Sequence, residues 1–298
     1  MSFMKLSKAT LILSALLVLT SIILFIVPGP KLSIDFTGGT LMEITIPEEK
    51  EKADLELAVR SFATTPSIDY VTINRTKAGS YILRMRDLSN EEHLALQTHI
   101  AKEVGEMQEM QFTTIGPTVG ATLKKRSVWA LGIAAIAIVF YLAFAFRKVP
   151  RHLSPWKFGM VAVIALIHDV TITTGIFVVI SHLTAFEFDT LFITALMTII
   201  GYSVNDTIII FDRIRDNLFL QEKREPFEQT VEQSLRQSLM RTANTSFSTI
   251  IMLSALFILG AESIRWFVLT LIMGIVIGTY SSIFLAAPLL VYWRSKRS

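Results

Sequence analysis

The chain contains no cysteine in its 298 residues. This absence excludes disulfide bonds, thiol catalysis and cysteine-ligated metals. Charged residues are scarce as well: they make up 18% of the chain, whereas soluble domains carry roughly 25%. Since 52% of the residues are hydrophobic and the mean hydropathy is +0.53, the composition predicts an integral membrane protein.

Motifs for several other kinds of chemistry are also missing. The five histidines are scattered, and no H-x-x-x-H pair marks a metal site. Ser203 and Ser246 lack the paired base that an intramembrane nucleophile needs. The basic residues lie where membrane topology accounts for them, so nothing favours nucleic-acid binding. We therefore expect neither an enzyme nor a protein with a metal or organic cofactor.

Six apolar runs are long enough to cross a hydrocarbon core of about 30 Å, which takes about 20 helical residues. The first run is expected to remain as an uncleaved anchor, because VPGP follows it where a signal peptide would have an A-x-A cleavage site. The predicted spans are residues 9–27, 128–146, 158–181, 191–211, 239–259 and 266–293.

The distribution of Lys and Arg predicts the orientation of these spans. Between spans three and four there is no Lys or Arg, and between spans five and six only Arg265. We therefore expect both termini in the cytoplasm. The basic residues on the cytoplasmic side are Lys5, Lys8, Arg147, Lys148, Arg151, Lys157, Arg213, Arg215, Lys223, Arg224, Arg236, Arg294, Lys296 and Arg297.

This topology predicts three parts of the chain. Residues 1–29 hold the cytoplasmic N-terminus and the first helix, and residues 30–126 form an extracytoplasmic domain. Residues 127–298 form a five-helix bundle with a cytoplasmic loop at 212–238 and a cytoplasmic C-terminus. The predicted fold is thus a polytopic α-helical membrane protein with six transmembrane helices and one small outer domain.

The outer domain has the predicted element order β-α-β-β-α-β, which is typical of a small ferredoxin-like α+β sandwich. The stretch LSIDFTGGTLMEITIP is predicted to begin it as a strand, a glycine turn and a second strand. Ala78 and Gly79 are predicted to turn a later hairpin. The pair Gly38 and Gly39 serves either this strand junction or a ligand; with no helix expected after it, phosphate binding is disfavoured.

The loop between spans four and five is amphipathic. Phe227, Val231, Leu235 and Leu239 recur every four residues. This spacing predicts a surface helix that lies at the membrane boundary and leads into span five, with a partner-binding helix as the alternative.

Polar groups inside two spans are the main functional signal. Span four carries Asn205 and Asp206, although a charge at the centre of a span costs about 2.5 to 3.5 kcal/mol on insertion scales. Span five begins with Arg241 and continues through Thr245. Because the two spans run antiparallel, Asp206 and Arg241 are expected at similar depth. The pair is either a fixed ion pair or a proton relay that opens and closes, and the rarity of intramembrane acids favours the relay.

Two further features lie in spans three and six. His168 and Asp169 are adjacent, so their side chains point about 100° apart on a helix and no hydrogen bond between them is expected. A proton-carrying role for Asp169 and a structural role for His168 both remain open. Gly274 and Gly278 form a G-x-x-x-G motif, which predicts close packing of span six against another helix.

Several stretches, in order along most of the chain, resemble one family. They are SIDFTGGT after the first span, IGPTVG before the second, HD in the third, GYSVNDTIIIFDRIRDN in the fourth and RTANTS at the start of the fifth. These stretches resemble SecF proteins, the smaller members of the SecD/SecF family of bacterial protein-export proteins, within the resistance-nodulation-division superfamily. That family has the same six-span plan.

The resemblance implies a function in protein export. It implies pairing with a SecD-like subunit, association with the SecYEG channel, and use of the proton-motive force to promote late stages of translocation of unfolded polypeptides across the bacterial inner membrane. A YidC-type insertase and a small accessory membrane protein are further implied partners, and protons are the coupling ion. By motif, the proton-path residues are Asp206 and Arg241, with Asn205, Thr245, His168 and Asp169 beside them, and the motif of the outer domain carries Asp35, Gly38 and Gly39.

One difference from the family concerns the connection from Asp206 to Arg241, which is one residue longer here. If the extra residue lies in the loop at Glu225 and Pro226, the pairing is kept; if it lies inside span five, Arg241 turns to another face. Two other functions stay open: a half-size proton-coupled exporter of small molecules or lipids, and a non-transporting scaffold for channel assembly. The small outer domain argues against the exporter.

Overall fold

The computed structural model of the chain describes residues 3–47, 49–64, 66–68, 71–76, 79–146, 154–220 and 226–295. Two compact units are present: Leu32–Ser127, and Met1–Lys31 together with Val128–Ser298. Some residues used in the predictions lie outside the described ranges: Ala78, Arg147, Lys148, Arg151, Lys223, Arg224, Glu225, Lys296 and Arg297.

Helices dominate the described residues, and one four-stranded sheet lies among them. In chain order the elements are α1 (Phe3–Ile26), α2 (Ile34–Thr37), β1 (Gly39–Thr45), α3 (Lys52–Ser61), β2 (Thr72–Arg75), β3 (Tyr81–Met85), α4 (Asn90–Val104), β4 (Gln108–Ile115), α5 (Pro117–Ala145), α6 (Pro155–Leu183), α7 (Thr190–Leu220), α8 (Phe227–Leu259), a 3₁₀ turn (Glu262–Ile264), α9 (Arg265–Ser281), a π-helical turn (Ser282–Ala286) and α10 (Ala287–Ser295).

Six helical segments in the described ranges are long and apolar enough to cross a membrane, which confirms the predicted number of spans. They are Leu6–Ile26, Pro117–Ala145, Trp156–Leu183, Thr190–Leu220, Phe227–Leu259 and Glu262–Trp293. At 1.5 Å per residue, α7 and α8 are about 46 and 50 Å long, so both exceed a 30 Å hydrocarbon core.

The N-terminal part of α8 does not form the separate surface helix that its amphipathic pattern predicts. It is continuous with span five, and Phe227, Val231 and Leu235 are buried in one apolar cluster with Phe211 and Ile214 of α7. The apolar stripe therefore packs against the neighbouring helix. Packing against α7 removes these apolar side chains from water, so they do not need to lie on a membrane surface.

Small polar side chains line the inner face of α1. Ser7, Ser14 and Ser21 are buried and recur every seven residues. Ser14 Oγ lies 3.2 Å from the Tyr280 hydroxyl, and a Cβ built on Gly175 of α6 would lie 2.3 Å from Ser21 Oγ. Such small residues let helices approach closely in a membrane, where hydroxyls also bond across the interface.

The last span is interrupted by the π-helical turn at Ser282–Ala286. Such a turn breaks the regular hydrogen-bond ladder of an α-helix. Thr10 of α1 donates a hydrogen bond from its hydroxyl to the Phe284 carbonyl at 3.0 Å, and Thr207 Oγ1 of α7 lies 2.9 Å from Ser282 Oγ. The turn is therefore held by two neighbouring helices.

The unit Leu32–Ser127 contains an antiparallel sheet with strand order β2-β3-β1-β4. The predicted element order from β1 to β4 is confirmed. Its core lies between the sheet and helices α3 and α4 and includes Met42, Ile44, Leu55, Leu83 and Leu96, all with no exposed surface.

The first predicted strand is wrong, because Ile34–Thr37 form the single helical turn α2. Ser33 Oγ accepts a hydrogen bond from the Asp35 amide at 3.2 Å, and the Gly38 amide donates to the Ile34 carbonyl at 2.9 Å. A serine that bonds a nearby backbone amide favours a turn over a strand, which is why an apolar pattern alone misassigned this segment.

Two glycines lie at the start of β1: Gly38 makes a close contact with the first turn of α5, and a Cβ built on Gly39 would lie 2.7 Å from the Met85 carbonyl oxygen of β3. Gly38 has φ +75° and Gly39 φ +125°, values that other residues rarely adopt. A Cβ built on Gly38 would lie 2.8 Å from Pro117 Cα, and one on Gly120 would lie 2.8 Å from the Gly38 amide nitrogen. The two backbones therefore meet without room for a side chain.

Candidate functional site

Asp206 lies near the middle of α7 and has no exposed surface. Its neighbours along the helix, Ser203, Thr207 and Ile210, are also buried and lie three or four residues apart. This spacing places the four side chains on one inward-facing stripe of the helix. The sequence therefore turns an acidic side chain into the bundle and not towards lipid.

Hydroxyl groups surround the carboxylate of Asp206. Thr279 of α9 donates to Oδ2 at 3.3 Å, and Ser246 of α8 donates to the same oxygen at 3.4 Å. The two hydroxyl oxygens lie 2.7 Å apart, and the Tyr202 hydroxyl donates to Ser246 at 3.4 Å. Asp206 Oδ1 has no hydrogen-bond partner among the described residues.

Asp206 and Arg241 are not paired in the part of the chain that the structure describes, so of the two alternatives the fixed ion pair is not seen, and the proton relay stays a prediction. Arg241 is exposed, whereas Thr242 and Ser246 are buried. Five residues separate Arg241 from Ser246, which places them about 140° apart around α8. Arg241 thus points to a different face of α8 from the one that meets Asp206, the orientation considered above for an extra residue inside span five. In its place α8 presents the Ser246 hydroxyl to Asp206.

Asn205 and Thr245 are exposed in the membrane unit, as Arg241 is. Thr245 Oγ1 donates to the Arg241 carbonyl at 3.1 Å, a bond within the same helix. None of the three therefore joins the hydroxyl cluster around Asp206. All three are polar side chains on the exposed faces of α7 and α8.

A second buried carboxylate, Asp169 of α6, also binds hydroxyl groups. Ser203 of α7 donates to Asp169 Oδ2 at 2.5 Å, and Ser281 of α9 donates to it at 2.8 Å. His168 Nδ1 lies 2.8 Å from Asp169 Oδ1. The expectation that these adjacent side chains do not bond is wrong, because rotation about their side-chain torsions closes the angle between their Cα–Cβ directions.

The glycines of span six lie where α9 meets α7. A Cβ built on Gly274 would lie 2.1 Å from Ile199 Cδ1, and one on Gly278 would lie 3.0 Å from Ser203 Cβ. Ser203 in turn donates to Asp169. The close contact of α9 with α7 therefore lies beside Ser203, whose hydroxyl reaches the Asp169 carboxylate on α6.

Sequence reasoning missed Thr279, whose hydroxyl donates to Asp206, and Ser281, whose hydroxyl donates to Asp169. The signal for them was the polar run GTYSS, Gly278–Ser282, inside an apolar span. Ser246 had been considered only as a nucleophile. The residues of the predicted outer motif lie apart from both carboxylates along the chain: Asp35 is in α2, Gly38 forms the backbone contact with α5, and Gly39 lies against the Met85 carbonyl of β3.

The chemistry available at Asp206 is proton binding. A hydroxyl can donate to a carboxylate or accept from a carboxylic acid, since it carries one proton and two lone pairs. The surrounding Ser and Thr side chains can therefore serve both protonation states of Asp206. Within the described ranges, no group of three or more His, Cys, Asp or Glu side chains is placed to hold a metal ion.

Comparison with known proteins shows similarity along nearly the whole chain. Residues 96–296 match the family model "Protein export membrane protein SecD/SecF, C-terminal", and residues 23–46 match "SecD/SecF GG Motif". The second match contains Gly38 and Gly39. Both units of the structure are thus covered at least in part.

Two curated relatives and one solved structure illustrate this similarity. The "Protein translocase subunit SecF" of Thermobaculum terrenum is 39% identical over 297 residues, which cover 96% of this chain and 91% of that protein. The protein of the same name from Sebaldella termitidis is 33% identical, covering 99% and 92%. The crystal structure of SecDF, a translocon-associated membrane protein from Thermus thermophilus, matches with a TM-score of 0.82 and 31% identity; the match covers 99% of this chain and 39% of that longer one.

Proposed function

Because the chain belongs to the SecD/SecF family of protein-export membrane proteins, we propose that it acts as a SecF-type subunit of the Sec translocase in which proton binding at Asp206 drives late stages of polypeptide export. The observation that carries this proposal is the hydroxyl-lined carboxylate of Asp206, buried in the bundle with one oxygen unpaired among the described residues. Intramembrane acids of this kind are usually functional.

The proton-motive force supplies enough energy for such a step. One elementary charge that crosses 100 mV is worth about 2.3 kcal/mol. Binding of a proton changes which of the hydroxyls around Asp206 donate and which accept, so α7, α8 and α9 repack when the proton enters or leaves. Two-state helix packing of this kind is the usual means by which a small local change becomes a larger movement.

A SecD-like subunit completes the proposed path. Asn205, Arg241 and Thr245 are exposed on α7 and α8, and polar side chains of this kind are costly against lipid. The similar SecDF chain is more than twice as long as this one, since the match covers 39% of it. We propose that the partner covers this polar surface and that Arg241 acts across the resulting interface.

The proposed setting follows from the same family. The protein is a multi-pass membrane protein. We propose that it lies in the bacterial inner membrane, with both termini in the cytoplasm and residues 30–126 outside. We also propose that residues 30–126 form a ferredoxin-like domain, and the strand order of the sheet supports this fold. SecYEG, a YidC-type insertase, a small accessory membrane protein and unfolded exported polypeptides are the proposed partners. The proposed role is transport and needs no enzyme activity or cofactor besides protons.

The test is export of a secreted reporter, driven by the proton-motive force, in cells that carry Asp206→Asn. We expect export to fall to the level measured without a proton-motive force while the SecD-like partner still copurifies. Asp216→Asn is the matched control, because Asp216 lies on the same helix but its side chain is 45% exposed and paired with Arg215. Full export in the Asp206 variant would overturn the proposal and favour the scaffold function.

A further inference from the structure

Three oxygen atoms at the Asp206 site form a closed triangle of hydrogen-bond contacts. Asp206 Oδ2 lies 3.3 Å from Thr279 Oγ1 and 3.4 Å from Ser246 Oγ, and the two hydroxyl oxygens lie 2.7 Å apart. Each contact needs one hydrogen atom between its two oxygens, but the two hydroxyls carry only two protons. The Tyr202 hydroxyl uses its own proton to donate to Ser246. With an ionised Asp206, one side of the triangle therefore has no hydrogen atom.

A proton on Asp206 supplies the missing hydrogen atom. The shortest side of the triangle, between Ser246 and Thr279, has the length of a full hydrogen bond and takes one of the two hydroxyl protons. Only one proton then remains for Oδ2, while Oδ1 is buried and has no partner among the described residues. Arg241 of the facing helix is exposed and brings no balancing charge. A buried carboxyl group with so few donors is neutral, because burial of an unpaired charge is costly.

Thr242 of α8 has a second buried oxygen without a partner. Its side chain has no exposed surface, and its Oγ1 makes no hydrogen bond among the described residues. Ser234, Ser238 and Thr249 on the same helix each donate to the backbone carbonyl four residues earlier, which is a common bond for a helical hydroxyl. Thr242 does not make this bond, so its O–H is available to another acceptor.

Contacts on either side of Thr242 place it against α7. Ser234 accepts a hydrogen bond from Asn217 of α7 at 2.8 Å, and Ser246 bonds Asp206. These two contacts show that α7 and α8 run antiparallel. Thr242 lies between them on the same buried stripe, one turn or about 6 Å from Ser246. It therefore faces the turn of α7 that begins at Asp206, and it is the next hydroxyl along the stripe.

We infer that this structure is the proton-loaded state of Asp206, and that Thr242 donates to Asp206 Oδ1 after the proton has left. In the loaded state the acid proton closes the triangle, and Oδ1 is a neutral carbonyl oxygen, for which the lack of a donor costs less than for a charged one. In the released state Oδ1 shares the negative charge, and the Thr242 O–H turns towards it. Thr242 keeps its own proton throughout, so it stabilises the ionised form and does not carry the proton.

The change from one state to the other is a small movement of α8 against α7. Thr242 Oγ1 and Asp206 Oδ1 do not bond in this structure. Rotation of the threonine side chain, with a helix shift of about 1 to 2 Å of the kind seen between packed helices, brings them together. The inference rests on the proposed function, and it names the contact through which the release of a proton repacks these two helices.

The titratable side chains on the packed helices are engaged elsewhere. Asp169 of α6 accepts from two hydroxyls of its own, and Tyr280 of α9 stacks on the imidazole of α6. Arg241 of α8 is exposed, and Tyr202 of α7 donates to the Ser246 hydroxyl. The charge on Asp206 is therefore left to the hydroxyls of α8 and α9.

Infrared spectroscopy of the protein, purified with its SecD-like partner, tests the inference, because a protonated carboxyl group has a carbonyl band that a carboxylate lacks. Asp206→Asn assigns the band. At neutral pH we expect the high frequency of a carbonyl without a hydrogen bond, and we expect the band to vanish as the pH is raised. In Thr242→Val, which has a similar size, the band should keep its frequency. Its proton should bind about tenfold more tightly, because the ionised form has lost a charge-assisted hydrogen bond.

Two further variants separate the role of the Thr242 hydroxyl from a structural role. Thr242→Ser keeps the hydroxyl and should restore the titration of the natural chain. Thr249→Val is the matched control and should change nothing, because the Thr249 hydroxyl already donates to the Thr245 carbonyl. A band that vanishes at the same pH in Thr242→Val as in the natural chain would overturn the role of Thr242. A band that changes frequency in Thr242→Val would show that Thr242 already bonds the acid, and it would overturn the assignment of the proton-loaded state.

Export measurements distinguish a failure of this inference from a failure of the proposed function. If Asp206→Asn abolishes proton-driven export but the band in Thr242→Val titrates as in the natural chain, the inference fails and the proposed function stands. If Thr242→Val shifts the titration as expected but Asp206→Asn exports fully, the proposed function fails and the pairing of Thr242 with the ionised Asp206 stands.

Discussion

Carboxylates in this protein have two kinds of neighbour. Asp206 and Asp169 are surrounded by hydroxyls and an imidazole, which can exchange the roles of donor and acceptor when a proton is bound. Glu92 in the unit Leu32–Ser127 is instead paired with Arg86, which only donates, and it also accepts from the Thr64 hydroxyl. The hydrogen bond from Arg86, with a further bond from the Ser89 amide, lowers the pKa of Glu92 to about 2. A guanidinium thus fixes one charge state, whereas hydroxyls leave the carboxyl group free to change it.

The Arg86–Glu92 pair should stabilise the unit Leu32–Ser127 in a pH-dependent way. The folded pKa of Glu92 is about 2 and its usual value is 4.5, so the contribution is fully present above pH 4.5 and is lost as the pH falls towards 2. Glu92→Gln keeps the capping role at the start of α4 but removes the charge. We expect it to lower the free energy of unfolding at pH 7 by about 1 kcal/mol, measured by hydrogen exchange of the α4 amides.

The difference in stability between this variant and the natural chain should shrink as the pH falls from about 4.5 towards 2, because the unfolded chain then binds a proton at Glu92 before the folded chain does. Glu56→Gln is the control, because Glu56 and Arg60 form an exposed i,i+4 pair of the kind that contributes little. A loss of protection that is the same at all pH values would contradict this account.

At the scale of elements, glycine determines how closely backbones approach. Gly120 belongs to the first turns of α5 and faces Gly38, so Gly120→Ala would place a methyl group 2.8 Å from a backbone nitrogen that cannot rotate away. We expect this substitution to displace β1 from α5 and to lower the melting temperature by several degrees, the effect of a steric clash of about 1 to 3 kcal/mol.

The control for this prediction is Gly132→Ala on the same helix, where a Cβ would meet nothing within 4 Å. That change should raise stability slightly, because alanine is the better helix former. Equal melting temperatures for the two variants would show that the contact between the glycine motif and α5 is not tight.

Helices were more predictable than their contacts. Each apolar run marks a helix because a span must satisfy its own backbone in lipid, whatever its neighbours do. The face that Arg241 presents depends on the partners of α8, and apolar periodicity did not show that Ser246 and Thr242 turn inward in its place. The same limit applies to α2, where the bond from the Asp35 amide to Ser33 Oγ and the backbone bonds of the turn favour a helical turn over a strand.

At the scale of the whole molecule, the chain consists of two compact units that have separate apolar cores. The sequence predicted this division from one hydrophilic stretch between two spans. It could not predict the hydroxyls of Thr279 and Ser281, since helices far apart in sequence bring them to Asp206 and Asp169. When polar residues occur in several spans, a buried polar site is thus better predicted from all the spans together than from each span separately.

The exposed polar surface of α7 and α8 leads to the last prediction. Because the chain has no cysteine, a single cysteine introduced by Asn205→Cys or Thr245→Cys can carry one photoreactive label without background. In membranes we expect both labels to cross-link to the SecD-like subunit, since polar positions in a span turn away from lipid. Ile136→Cys on α5, an apolar position that is 58% exposed, is the matched control and should label lipid. Cross-linking of the partner from Ile136→Cys, with lipid adducts at the other two positions, would place the interface on α5 and remove Arg241 from the proposed proton path.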